Sequence, residues 1–171
     1  GVYSLPEIRE TEKQDHRVKV SYFDGDVYSD AAREHMFTVT RRWLDPNSDG
    51  DPSDGVDGFR LDVAAEMPLG FWRDYRKVVR DVNPDAYLVG EIWWEQYPDK
   101  LLNPAPVLKG DVFDAPMNYR WYRSARHFFN QSPDKITVRE FTDSLKSYSE
   151  GIRVQNQRAM MNLTASHDVP R

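Results

Sequence analysis

The chain has no cysteine among its 171 residues. Disulfides are therefore excluded, and the redox compartment stays open. No stretch approaches the roughly 18 apolar residues a membrane helix needs. Positive charge is not in excess either: the net charge is −5, so neither a nucleic acid nor an anionic membrane is supported as a partner. There is no internal repeat and no low-complexity tract. No His-x-His or His-Glu-x-x-His pair occurs, which argues against a metal-dependent hydrolase site. The opening "GVYSLPEIRE" has no initiator Met, no basic n-region and no apolar h-region. A mature chain or an internal piece of a longer one is the expectation, and localisation stays open.

What is present is enough for one domain with a sizeable core. Residues 1–28 are polar and irregular. Ser29 caps an expected helix to about Trp43, with Ala32, Met36, Val39 and Trp43 at helical spacing. Phe59, Leu61 and Val63 alternate with Arg60, Asp62 and Ala64, which predicts a strand over 58–64. Phe71, Tyr75, Val78 and Val82 mark a second helix, stopped at Asn83-Pro84. Strands are expected at 86–92, 111–118 and 159–164. Helices are expected from about Arg120 and after the capping box Thr137/Glu140, the latter with Phe141, Leu145 and Tyr148 on one face. Strands alternating with helices imply an α/β fold with a parallel sheet or barrel.

In such folds chemistry gathers at the carboxyl ends of the strands. Asp62 ends the first expected strand, Glu91 the second, and His167 and Asp168 the last. All three carboxylates can then converge on one rim. Arg60 shares a strand face with Asp62, and a guanidinium there favours a carboxylate that stays anionic. Glu91 lies between "LVG" and "IWW"; an apolar wall would raise its pKa, as a general acid requires. Two carboxylates in opposed environments are the pattern of glycoside hydrolysis. Any one of them alone is more often a helix N-cap or a surface ion pair; the three strand ends together carry the reading.

"DGFRLDVA", "LVGEIW" and "NLTASHDVPR" together resemble three signature regions of the α-amylase family of glycoside hydrolases, in the same order and spacing. "GDVFDAPMNY" resembles the strand-6 region of the neopullulanase, maltogenic amylase and cyclomaltodextrinase branch, and "SLPEI" loosely resembles a further short region. The resemblance implies a (β/α)8 TIM barrel, of which the chain would hold roughly strands 4 to 7 with their helices. Residues 1–28 would be the tail of the excursion after strand 3, and 29–171 part of the catalytic barrel. It implies Asp62 as nucleophile, Glu91 as acid/base and Asp168 as the third carboxylate, with Arg60 holding the nucleophile and His167 on the sugar. The substrate would be an α-glucan or oligosaccharide, cleaved with retention and without an organic cofactor. The fourth family signature is absent, and a complete barrel takes about 250 residues. The rest of a parent barrel is therefore an expected partner, and the piece alone is expected to be inactive.

Two further features remain. "DPNSDGD" places Asp45, Asn47 and Asp49 at alternate positions before Gly50, with Asp51 following. Hard oxygens and a turn glycine resemble the start of a Ca2+ loop of the EF-hand type. Val56 stands where that loop needs a bidentate Glu, so the match is partial, and a solvated acidic turn is the alternative. Trp93, Trp94, Tyr97, Tyr119, Trp121 and Tyr122 supply aromatic surface for sugar rings or for the core. Trp93 is the preferred platform, with Asn118 and Tyr119 as further substrate-binding candidates. A non-catalytic carbohydrate- or calcium-binding module, or mainly a transglycosylase, are the alternative functions.

Overall fold

The structure is a computed structural model, described for residues 8–10, 22–96, 99–130 and 133–169. Leu5-Pro6, most of the 1–28 segment and Tyr97 lie outside the described residues. The chain divides into two compact units. One takes in the described residues up to Phe59 together with Ala65–Tyr87. The other takes in Arg60–Ala64 and the described residues from Leu88 onward.

In the first unit, α1 (Asp30–Leu44) begins at Ser29, whose hydroxyl accepts the Ala32 N–H. Its buried face is Phe37, Thr40 and Leu44. The expected face lay one position away: Val39 and Trp43 are exposed. The packing partner decides this. Phe37 stacks on Phe71 of α2 (Leu69–Val82) at 5.6 Å between ring centroids, and Trp72 and Tyr75 close the cluster. A shared aromatic cluster outweighs the spacing of smaller apolar residues. Asn83 ends α2 as expected.

A three-stranded sheet runs in the order β1 (Gly58–Leu61), β2 (Tyr87–Gly90), β5 (Ala115–Pro116). β2 and β5 are parallel, with Val89 opposite Ala115. Gly90 is required there, because a Cβ would sit 2.8 Å from the Phe113 ring. The strand expected over 111–118 shrinks to Ala115–Pro116, where the proline removes a ladder donor. The strand expected over 159–164 is not formed. Ala159 ends a short helix, α5 (Val154–Ala159), and Met161 contributes one parallel bridge to Met117. Three elements depart from the expected set: α5 itself, and the antiparallel strands β3 (Trp94–Gln96) and β4 (Lys100–Leu101).

α3 (Tyr119–Phe129) is capped by Asn118, and α4 (Val138–Ser149) by the expected Thr137/Glu140 box. Phe141 of α4 stacks on Phe128 at 4.6 Å, and Ser124 donates to the Tyr148 hydroxyl at 3.0 Å. The half-buried Phe141, Leu145 and Tyr148 face is thus the one the spacing predicted. α5 lies close to β5: Asn156 donates its side-chain amide to the Asp114 carbonyl at 2.9 Å.

Candidate active site

The site is built where β1 and β2 end. Glu91 follows Gly90 directly, and its backbone N–H still bonds the Leu61 carbonyl at 2.9 Å. The sheet register therefore sets Glu91 beside the turn that leaves β1. That turn contains Asp62 and Val63, and Ala64 returns its N–H to the Glu91 carbonyl at 3.1 Å. Val63 has φ +47°, a left-handed conformation that a β-branched residue rarely adopts. The turn aims the Val63 N–H at Glu91 Oε2, 2.9 Å away.

Arg60 joins the two carboxylates. Its Nη1 pairs with Asp62 Oδ1, and its Nη2 lies 2.6 Å from Glu91 Oε1. The Arg60 Nε points to the Met117 sulfur at 3.4 Å. Burial alone would lower the Arg60 pKa, but the Asp62 hydrogen bond and the Glu91 and Asp62 charges together hold it above its ordinary value. Arg60 is thus shared, whereas the sequence assigned it to Asp62 alone.

The two carboxylates differ in access. The Asp62 side chain is 71% exposed, the Glu91 side chain 5%. Glu91 is buried as expected, but not against an apolar wall alone. Three donors converge on it: Arg60, the Val63 N–H, and the Trp93 indole N–H at 2.9 Å from Oε1. A buried carboxylate needs such partners, since an unsatisfied one is costly.

Trp93 stacks on Tyr119 at 3.5 Å and on Trp94 at 5.8 Å between ring centroids. The Tyr119 hydroxyl lies 3.4 Å from Ser166 Oγ, which accepts the Asp168 N–H at 3.1 Å. Burial raises the Tyr119 pKa. The Ser166 hydrogen bond and Arg60 oppose that shift, while the Glu91 and Asp168 charges add to it. Its phenol therefore lies within electrostatic reach of Glu91, Asp168 and Arg60. His167 Nε2 lies 3.1 Å from Asp168 Oδ2. Asn118 caps α3 through the Trp121 N–H and donates to Asn162 Oδ1 at 2.8 Å. Its side chain thus has structural work in addition to any contact with substrate. Trp121 and Tyr122 fall on α3: Trp121 packs on Phe141, and Tyr122 is buried.

Val63, Ser166 and Met117 were not singled out from the sequence. Nothing in their identity marks them; Ser166 alone carried a hint, one residue before His167-Asp168.

The acidic loop belongs to the first unit. Its oxygens are turned onto the loop's own N–H groups. Asp45 accepts from Asp49 and Gly50, Asn47 from Asp49, Asp49 from Asp51, and Asp51 from Ser53, at 2.8–3.2 Å. The Ser53 N–H and hydroxyl lower the Asp51 pKa. Among the described residues, no three His, Cys, Asp or Glu gather to hold a metal ion. The donors are of the type calcium takes, but as arranged they do not close a cage.

A parallel α/β sheet whose strand ends bring buried and exposed carboxylates onto one guanidinium, beside a stack of aromatic rings, defines an α/β protein with an acidic, aromatic-walled site. The chain belongs to the alpha-amylase catalytic domain family, whose model matches residues 16–171. It is 41% identical over 140 residues to a cyclomaltodextrinase from a Bacillus species, covering 81% of this chain and 22% of that protein. It is 35% identical over 139 residues to neopullulanase 2 of Thermoactinomyces vulgaris, covering 81% and 21%. Among solved structures, the cyclic alpha-maltosyl-(1→6)-maltose hydrolase of Arthrobacter globiformis in complex with maltose matches with TM-score 0.71 and 30% identity. That match covers 86% of this chain and 30% of the other. The chain spans about a fifth of the length of the first curated relatives it matches, 18% and 22%.

Proposed function

We propose that the chain carries the catalytic carboxylates of a retaining α-glucan hydrolase, on strands 4 to 7 of a (β/α)8 barrel. One observation carries the reading: Arg60 contacts both Asp62 and Glu91, while one carboxylate is open to solvent and the other is buried. The shared guanidinium supports reading the two as a pair; retention needs their carboxyl groups about 5–5.5 Å apart. Asp62, open and paired with a cation, attacks the anomeric carbon. Glu91, which accepts from Arg60, the Val63 N–H and the Trp93 indole, exchanges one of these bonds for a proton and gives that proton to the leaving oxygen. The covalent glycosyl-enzyme forms on Asp62, and Glu91 then takes a proton from the attacking water. Asp168, with His167, binds sugar hydroxyls where the ring flattens, and the aromatic stack of Trp94, Trp93 and Tyr119 offers apolar surface to a sugar. Maltodextrins and cyclodextrins are the substrates of choice, from the kinds of protein the chain resembles.

The test takes the full reading frame that encodes the chain and compares Glu91→Gln with wild type. On maltooligosaccharides kcat should fall by about 10²–10⁴-fold, the usual contribution of general acid–base catalysis. On an aryl maltoside with a very good leaving group the first step should be partly spared, and azide should restore turnover of the covalent intermediate. Near wild-type cleavage of unactivated α-glucan by this variant would remove Glu91 from the role.

Calcium at Asp45, Asn47, Asp49 and Asp51 is a separate proposal. It rests on donor type, and it requires the cation to displace hydrogen bonds of the loop. It would fasten the loop and enters no step of the reaction.

A further inference from the structure

Tyr119 contacts a neighbour of each of two carboxylate residues, Trp93 beside Glu91 and Ser166 beside Asp168. Its ring lies on Trp93, whose indole N–H is bonded to Glu91. Its hydroxyl is 3.4 Å from Ser166 Oγ, and that oxygen accepts the Asp168 N–H. Ser166 also bridges to Val169, so residues 166–169 form a closed turn around Asp168. The Asp168 carboxylate faces His167, whose side chain is 78% exposed and is a poor anchor by itself. Within the turn Ser166 Oγ bonds the Asp168 N–H, and the Tyr119 hydroxyl reaches that same oxygen.

We propose that the Tyr119 and Ser166 hydroxyls form a positioning couple that fixes the Asp168 turn relative to the Trp93–Glu91 contact. With the phenol donating, Ser166 Oγ accepts from both Tyr119 and Asp168. Burial and two nearby carboxylates make the phenol harder to ionise, so it remains a donor across the neutral range. Neither hydroxyl needs to touch sugar. The couple transmits the placement of one carboxylate group to the other through a ring stack and two hydrogen bonds. Its catalytic consequence rests on the retaining-hydrolase reading; its structural content does not.

The test compares Tyr119→Phe, Ser166→Ala, their double variant and Ser166→Thr in the protein made from the full reading frame that encodes the chain. Two quantities are measured: hydrogen exchange at the Asp168 amide, and kcat and KM on maltooligosaccharides. Tyr119→Phe and Ser166→Ala should each speed exchange at Asp168. Each should lower kcat about tenfold, equivalent to about 1.4 kcal/mol, with KM within about twofold. The double variant should be no worse than either single one, because the two act as a unit. Ser166→Thr, which keeps a hydroxyl, should recover most of both. Unchanged exchange at Asp168 in Tyr119→Phe overturns the couple, and so do losses that simply add. If wild type cleaves no α-glucan, the proposed function falls, and the exchange data still decide the couple.

Discussion

Val63 donates its backbone N–H to Glu91 Oε2 at 2.9 Å from a left-handed backbone, φ +47°. One residue after Asp62, the chain leaves β1 in a turn that exposes one carboxylate and satisfies the other. A β-branched residue at positive φ carries a conformational cost of about 1–2 kcal/mol. Val63 is also 44% exposed, so its side chain recovers little of that by packing.

Val63→Gly should therefore stabilise the protein. Glycine keeps the N–H and removes the backbone penalty, though it adds freedom to the unfolded chain. A net gain of about 1 kcal/mol corresponds to a rise in Tm of about 2–4 °C for a domain of this size. Thermal unfolding decides it. A lower Tm would show that the valine methyls contribute more packing than their exposure suggests.

The elements that carry the site were legible because they rest on local patterns. Alternation located β1, though the strand stops at Leu61 and Val63 turns left-handed instead of continuing it to residue 64; the apolar run located β2, and Thr137 with Glu140 located α4. Asp62 and Glu91 could be placed at strand ends for the same reason. Other features depend on contacts remote in sequence. α1 buries Phe37 rather than Met36 because Phe71, 34 residues later, supplies a ring. The 159–164 strand failed because its apolar residues make one bridge to Met117 instead of a ladder. Arg60 was assigned to Asp62 by adjacency; its second partner, Glu91, comes from sheet pairing. Ser166 and Val63 act through a hydroxyl and a backbone N–H, which no spacing rule reveals.

Asp74 links α1 and α2 and gives a pH signature. It accepts from Lys77 Nζ at 2.8 Å and pairs with the Arg33 guanidinium. The Lys77 hydrogen bond, assisted by the charges of Lys77 and Arg33, lowers its pKa against an opposing burial effect. A carboxyl depressed in the folded state contributes stability above its unfolded value of about 3.9. That contribution is lost as pH falls through the lower folded value. Asp74→Asn should thus have a lower Tm than wild type at pH 7, and the two curves should converge as pH drops below about 4. A gap that persists unchanged in acid would trace the loss to shape rather than charge.

The acidic loop tests whether donor type or present arrangement governs calcium. Five N–H contacts now occupy oxygens of Asp45, Asn47, Asp49 and Asp51, and Asn47 Nδ2 also donates to Asp54 at 2.7 Å. A cation must displace some of these bonds, but it brings six to eight oxygen contacts in return. If it binds only the folded loop, the stabilisation follows mass action, about 2.7 kcal/mol at a hundredfold excess over Kd. The expected result is a Tm that rises with added calcium and falls back with EDTA. Asp49→Ala, which removes one proposed ligand, should abolish the calcium response. It should change the calcium-free Tm little, since the residue is exposed and its bonds are local. Equal Tm values for wild type in calcium and in EDTA would show that the loop's own hydrogen bonds are its final state, and that Asp45, Asn47, Asp49 and Asp51 form a turn and not a metal site.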